Sequence, residues 1–198
     1  IGFGARIIEK GEPKYLNSPE TPLFHKGTEL YGLYEAIQHD KQPSRLVIVE
    51  GYMDVIALAQ YGIRYAVATL GTATSSEQLQ RLFRASKEII CCFDGDAAGQ
   101  KAARRALENA LPIMQADWRL RFLFLPEGDD PDSLIREQGL EHFKQLLDHT
   151  TSLSEQLLNY AAEQSPLLDT EGRARIADWL YPLIDKMPNT ELKSAIKA

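Results

Sequence analysis

Four short apolar runs, separated by stretches of helical periodicity, constrain the fold of this chain more than any other feature. The runs are residues 46–49, 65–68, 89–93 and 120–125. Helical spacing of apolar residues between them is clearest from Ala98 to Leu111. Near-continuous apolar strands that alternate with helices form parallel sheets covered on both faces. The sequence therefore predicts an α/β fold with a mostly parallel sheet flanked by helices.

The two ends of the chain differ in pattern from this central part. Residues 1–44 begin with prolines that prevent a helix and then show one stretch of helical spacing, whereas residues 150–198 show helical spacing and no strand-like run. We therefore expect three parts, with the sheet in residues 45–149. The sequence starts with Ile1 and is still helical in pattern at Ala198, so we expect a piece of a longer protein.

Composition and hydropathy exclude several classes of protein. A hydrophobic content of 44% allows a real core, and 13 Gly and 10 Pro are ordinary usage, which excludes collagen-like and disordered chains. No apolar run reaches the roughly 18 residues of a membrane helix, and the first residues do not show the charged, apolar and small-residue order of a signal peptide. Cys91 and Cys92 are adjacent, which favours two reduced core residues over a disulfide or a zinc site. We expect a soluble, cytoplasmic protein without a membrane partner.

Acidic residues follow three of the four predicted strands, at the point where each strand ends. They are Glu50, Asp54, Asp94, Asp96, Asp130 and Asp132. Right-handed crossovers bring the carboxyl ends of parallel strands to one edge of the sheet, where ligands bind. Taken singly, Asp54, Asp96 and Asp132 are each placed to be the N-cap of a helix, which requires no ligand. Three acidic clusters at one edge favour a functional site.

A cluster of six carboxylates requires a cation or bound protons, because the charges repel one another. Oxygen ligands suit Mg²⁺, which also shares its coordination shell with phosphates, and no thiol or imidazole at ligand spacing favours zinc or copper. Without these six acids the chain carries 22 negative and 22 positive charges, so the remainder is neutral. Lys101, Arg104 and Arg105 lie on one predicted helix, where phosphate contact and a plain solvated face explain them equally well.

Two of the acidic clusters form a motif that resembles a known domain. The motif consists of Glu50-Gly51 followed by Asp54, and then of Asp94-Gly95-Asp96 followed by Ala98 and Gly99. It resembles the TOPRIM domain that topoisomerases, primases and some nucleases share. The resemblance implies a TOPRIM-like, mostly parallel sheet flanked by helices, with a C-terminal helical subdomain.

Further motifs resemble the bacterial DnaG-type primases across nearly the whole chain. They are residues 14–21 (KYLNSPET), 24–27 (FHKG), 50–54 (EGYMD), 70–72 (LGT) and 130–132 (DPD). The resemblance implies that residues 1–44 are part of the N-terminal subdomain of a primase catalytic core. It also implies a TOPRIM metal-binding domain at 45–149 and a truncated helical bundle at 150–198. Primases of this family often carry Arg where this chain has Ala97 and Gln100, so we assign no role to those positions.

The resemblance also implies an activity, partners and residue roles. The activity is template-directed synthesis of short RNA primers from ribonucleoside triphosphates on single-stranded DNA at the bacterial replication fork. The replicative helicase would bind through a domain absent from this chain. A zinc-binding domain would precede the catalytic core. Mg²⁺, or Mn²⁺ as a substitute, would be the cofactor. The implied site residues are Asp54, Asp94 and Asp96 as principal metal ligands, Asp130 and Asp132 as further ligands, Glu50 as general acid, base or ligand, and Lys14, Asn17 and Lys26 as nucleotide or template contacts.

Two other classes of function remain open at this point. A TOPRIM nuclease or topoisomerase would use the same metal ions to cleave phosphodiesters, although the KYLNSPET run favours a primase. A non-catalytic scaffold, or a receiver domain phosphorylated on Asp94, is the second alternative. A receiver carries an acid pair after its first strand and a Lys after its last, whereas this chain has acids from Glu127 onward.

Overall fold

The chain folds around a five-stranded sheet with helices on both faces. The computed structural model describes residues 1–6, 15–71, 73–164, 169–188 and 190–197. The strands of the main sheet are β3 (Leu46–Val49), β4 (Ala66–Ala68), β5 (Glu88–Phe93), β6 (Arg119–Phe124) and β7 (Thr151–Ser152). Their order is β4-β3-β5-β6-β7; the first four are parallel and β7 is antiparallel to β6. The predicted α/β architecture is confirmed.

Helices connect the strands and continue beyond them. They are α1 (Leu33–His39), α2 (Tyr52–Gln60), α3 (Ser76–Ala85), α4 (Ala97–Ala110), α5 (Pro131–Asp148), α6 (Leu153–Gln164), α7 (Thr170–Asp185) and α8 (Glu191–Lys197). Gly139 interrupts α5 with φ 82° and ψ 173°, so α5 is two helical pieces. In the described ranges, no helix combines the length and the apolar character that a membrane span requires.

Three short strands were not predicted. In the N-terminal part, β1 (Gly4–Arg6) pairs antiparallel with β2 (Tyr15–Asn17), where we expected only loops and one helix. The prediction that no strand follows residue 150 is also wrong, because β7 pairs with β6 through Thr151 and Ser152. A strand of two or three residues is too short to show the alternation of apolar and polar residues that identifies strands in a sequence.

The two faces of the sheet have separate apolar cores. One face, with Ile48 and Cys91, packs on α3, α4, α6 and α7, and the other, with Val49 and Cys92, packs on α2 and α5. Consecutive strand residues point to opposite faces, so the two cysteines lie in different cores. Both thiols are free and buried, and burial raises the pKa of Cys91 to about 12. The pair is therefore part of the core.

The C-terminal helices pack on the same face of the sheet as α4, and α6 contacts β6 directly. Leu157 and Ile184 belong to the same apolar core as the strand residues. The guanidinium of Arg104 lies 5.3 Å from the ring centroid of Trp179 and 6.0 Å from that of Tyr160. Trp179 packs against the apolar core, and Arg104 is turned toward the helical part of the chain.

Candidate metal and nucleotide site

The edge formed by the carboxyl ends of β3, β5 and β6 collects the predicted acids. These three strands are neighbours in the sheet and run parallel. Glu50 directly follows β3 and Asp94 directly follows β5, whereas Asp130 lies between β6 and α5. The carboxylates are close enough to interact electrostatically. The charges of Asp130, Asp94 and Asp132 raise the pKa of Asp54. The charges of Asp94 and Asp96 raise the pKa of Glu50. The fold thus brings all six acids to one edge.

Asp54 is the most deeply placed of the six. It lies in the first turn of α2, is 8% exposed and accepts a 3.1 Å hydrogen bond from the backbone N–H of Gly51. Desolvation, followed by the charges of Asp130 and Asp94, raises the pKa of its carboxyl to about 7. Near neutral pH this carboxyl therefore binds a proton or gains from a bound cation.

Glu50 lies at the exposed side of the cluster. Partial desolvation of its carboxyl and, next, the charge of Asp94 raise its pKa, while a hydrogen bond from the backbone of Asp94 opposes that rise. This hydrogen bond joins the ends of β3 and β5. A carboxyl with a raised pKa that is also open to solvent is suited to proton transfer as well as to metal binding.

Two of the acids are also helix caps. Asp96 Oδ1 accepts a 2.7 Å hydrogen bond from Gly99 N at the start of α4, and Asp130 Oδ1 accepts one of 2.7 Å from Ser133 N at the start of α5. The N-cap prediction is therefore confirmed for Asp96. It is wrong for Asp54 and Asp132, which lie inside the first turns of α2 and α5, where Gly51 and Asp130 are the N-caps. A capping Asp uses one oxygen for the backbone, and its second oxygen remains available for a cation.

The donor chemistry fits a hard divalent ion, although the ligands are not preassembled. Within the described residues, no three Asp, Glu, His or Cys side chains are already arranged around one metal position. Asp132 forms an ion pair with Arg136 one helical turn away. Oxygen donors from three strand ends suit Mg²⁺. Binding would draw these side chains together and release Asp132 from Arg136.

Two glycines hold the strand ends close enough for this cluster to form. A Cβ on Gly95 would lie 2.2 Å from the carbonyl oxygen of Leu125, and one on Gly99 would lie 2.1 Å from that of Asp94. Only a hydrogen atom fits at either position, because a backbone oxygen cannot move aside as a side chain can. At Gly95 the close approach is between the backbone after β5 and the backbone after β6.

The predicted nucleotide or template contacts are spread over the N-terminal part. Lys14 lies outside the described residues. Asn17 Nδ2 donates a 3.2 Å hydrogen bond to the carbonyl of Leu70, so its amide supports the loop after β4. The backbone carbonyl of Lys26 accepts a 2.9 Å hydrogen bond from Gln78 Nε2. These contacts fix the backbone near both residues, and their roles toward a nucleotide or template stay predictions.

Polar residues after β4 were missed by the sequence analysis. Thr69 and Thr74 are buried beside the same edge of the sheet, at 7% and 4% exposure. They carry no charge, whereas the predicted site was defined by carboxylates at strand ends. Their signal is positional, because Thr69 directly follows the last residue of β4.

Comparison with known proteins agrees with both the fold and the motifs. Residues 1–37 match the N-terminal domain of the DNA primase catalytic core, and residues 47–135 match Toprim-like domains. The DNA primase of Escherichia coli (strain K12) is 54% identical over 193 residues, which are 98% of this chain and 33% of that protein. The chain thus spans about a third of the length of the curated relatives that it matches.

Solved structures of primases are similar along the whole chain. A DNA primase domain from Pseudomonas aeruginosa has a TM-score of 0.96 and 52% identity, covering 100% of this chain and 62% of that one. The DnaG primase catalytic domain bound to single-stranded DNA has a TM-score of 0.93 and 52% identity, covering 99% of this chain and 63% of that one. Toprim-domain primases use a divalent metal ion. The chain belongs to the bacterial DnaG-type primase family, of which it carries the Toprim domain and adjoining parts of the catalytic core.

Proposed function

We propose that this chain is the nucleotidyl-transfer part of a DNA primase. It would synthesise short RNA primers from ribonucleoside triphosphates on a single-stranded DNA template. The observation that carries the proposal is the convergence of acids from three neighbouring strand ends, with Asp54 buried among them. Carboxylates that are destabilised by one another's charge favour a site that binds cations together with a polyanionic substrate.

The carboxylates would hold the cofactor, Mg²⁺ with Mn²⁺ as a substitute. Asp54, Asp94 and Asp96 are the principal ligands in this proposal, and Asp130 and Asp132 complete the site. When bound, the cations neutralise charge on the attacking 3′-oxygen and on the pyrophosphate that leaves. The caps made by Asp96 and Asp130 limit the freedom of both carboxylates, so each presents its second oxygen from a fixed helix start.

Other side chains would handle the proton and the substrate. Glu50 is open to solvent and has a raised pKa, so it can accept the proton of the attacking hydroxyl or act as a further ligand. Lys14, Asn17 and Lys26 would contact the nucleotide or the template, where an ammonium group suits a phosphate as a point charge. Asn17 already supports the loop after β4, so it would link template contact to the shape of the site.

The template and the other partners come from the family. The DnaG catalytic domain described above binds single-stranded DNA, and at 52% identity the same ligand is proposed for this chain. A replicative helicase would bind through a domain outside this sequence. The place of action would then be the cytoplasmic replication fork of a bacterium.

Incorporation of radiolabelled ribonucleotides on a single-stranded template tests the proposed function. In the complete protein, Asp94→Ala should lower primer synthesis at least about 100-fold, because a principal metal ligand is lost. Asp178→Ala is the matched control, since Asp178 is exposed on α7 and should leave synthesis unchanged. Circular dichroism would confirm that both variants are folded. Primers at near wild-type yield from Asp94→Ala, or cleavage of the template without synthesis, would contradict the proposal.

A further inference from the structure

A cavity lies beside the acidic cluster, on the α4 side of the sheet. It has a volume of about 370 Å³ and is bounded by the ends of β3 and β5, by the loop after β4, and by α4. Its polar lining comes from Glu50, Thr69, Thr74, Lys101 and Arg105. Cavities of this size bind small molecules in many proteins.

The charge of this cavity differs from that of the neighbouring acidic cluster. Lys101 and Arg105 are four residues apart on α4, so they lie on one face of the helix and line the same wall. Within the described ranges neither takes part in an ion pair, whereas Arg104 between them pairs with Glu108. The cavity therefore carries two cations against the single carboxylate of Glu50.

The walls of the cavity are held in place before any ligand binds. Asn109 Nδ2 on α4 donates a 2.8 Å hydrogen bond to the carbonyl of Thr74, and Ser76 Oγ donates one of 2.7 Å to the carbonyl of Asn109. From the other side, Asn17 supports Leu70. Both ends of the segment that follows β4 are thus fixed, and a ligand would lose little free energy in ordering them.

Glu50 is shared by the cavity and the acidic cluster. Its carboxyl lines the cavity and also interacts with Asp94 and Asp96. Cations bound by the carboxylates would attract one phosphate to the acidic cluster, and a chain of further phosphates would then extend past Glu50 into the cavity. We propose that this cavity holds the triphosphate tail of the incoming nucleotide, with Lys101 and Arg105 as its cationic ligands and the hydroxyls of Thr69 and Thr74 as additional donors.

The shape of the cavity favours a compact polyanion over a nucleic acid strand. A strand-binding surface is a groove with cations spaced along the path of the backbone. Here both cations project from one helix into one concavity between α4 and the loop after β4. Ammonium and guanidinium groups form strong, charge-assisted hydrogen bonds with phosphate. The inference rests on the proposed function, because it names the substrate group that the same site would bind.

Calorimetric titration of this chain with tripolyphosphate in the presence of Mg²⁺ tests the assignment without requiring activity. Lys101→Gln and Arg105→Gln should each weaken binding about tenfold, and the double variant about 100-fold. Both side chains are exposed, so the fold should be retained. The charge-preserving pair Lys101→Arg and Arg105→Lys should bind within a few-fold of the wild type.

A matched control separates a specific site from general electrostatic attraction. Lys41→Gln with Arg64→Gln removes the same two charges from exposed positions that precede β3 and β4, at the opposite edge of the sheet. This control should bind tripolyphosphate like the wild type. The assignment would be overturned if the control lost as much affinity for tripolyphosphate as the Lys101/Arg105 double variant. It would also be overturned if the double variant bound tripolyphosphate with wild-type affinity.

Primer synthesis in the complete protein distinguishes this inference from the function on which it rests. The Lys101/Arg105 double variant should raise the KM for ribonucleotides with a smaller effect on kcat, and its affinity for single-stranded DNA should not change. Loss of DNA affinity with normal tripolyphosphate binding would assign the cavity to the template and overturn the proposal. If Asp94→Ala still makes primers while tripolyphosphate binding depends on Lys101 and Arg105, the proposed function fails and the anion site stands.

Discussion

Replacing Asp54 by Asn should stabilise the metal-free protein at alkaline pH, because Asp54 is buried among other carboxylates. The pKa of its carboxyl rises from 3.8 to about 7 on folding. A raised pKa means that the folded state binds this proton more tightly than the unfolded state. The contribution of Asp54 to stability is therefore greatest below pH 4 and is lost as the pH rises through 7.

The size of the effect follows from the same shift. Each pH unit between the two pKa values corresponds to about 1.4 kcal/mol, so ionised Asp54 lowers the free energy of unfolding at pH 8 by up to about 4 kcal/mol. Asn keeps an acceptor for the 3.1 Å hydrogen bond from Gly51 N and carries no charge. With a urea m-value of about 2 kcal/mol/M, the unfolding midpoint of the variant should lie up to about 2 M higher.

Urea unfolding with EDTA and with Mg²⁺, at pH 5 and pH 8, measures this effect. With EDTA, the wild type should lose stability between pH 5 and pH 8, and Asp54→Asn should lose much less. Mg²⁺ should stabilise the wild type at pH 8 more than the variant, because a bound ion offsets the charge that the variant lacks. Asp178→Asn is the control, since it removes an exposed carboxylate on α7. The reasoning is refuted if Asp54→Asn is no more stable than the wild type at pH 8, or if Mg²⁺ stabilises both equally.

Two further substitutions test the backbone and the substrate contacts. Gly95→Ala should lower the free energy of unfolding by about 2 kcal/mol or more, because its Cβ would lie 2.2 Å from a carbonyl oxygen. The control in the same thermal melt is Gly27→Ala, where a Cβ meets nothing within 4 Å. Equal melting temperatures for the two variants would show that the strand ends can separate freely. Lys26→Gln should weaken nucleotide or template binding, measured by fluorescence anisotropy, and should reduce the salt dependence of the affinity. An affinity equal to that of the wild type at several salt concentrations would count against a phosphate contact.

The sheet and the acidic edge could be predicted because both depend on short-range patterns. Apolar runs longer than three residues identify strands, and topology then determines which strand ends meet. The pairs β1-β2 and β6-β7 depend on contacts between short segments that carry no such pattern. Their formation is decided by the tertiary structure around them.

The helix caps and the roles of the Lys and Arg side chains on α4 were harder to predict. Pro131 is the first residue of α5, a position that Pro favours, so the sequence held a signal that Asp130 and not Asp132 is the N-cap. No comparable signal separates Arg104 from its neighbours on α4. Arg104 turns toward Trp179, more than seventy positions along the chain, whereas Lys101 and Arg105 face the cavity. Such a choice depends on which elements pack on each face of the helix.

Anomalous diffraction from a crystal of this chain soaked in Mn²⁺ tests the central claim most directly. The account predicts an anomalous peak within coordination distance of carboxylate oxygens from Asp54, Asp94 and Asp96, with Asp132 turned away from Arg136 toward the ion. A crystal that takes up no manganese at this edge, or one in which the ion pair of Asp132 persists and the three carboxylates point apart, would contradict it.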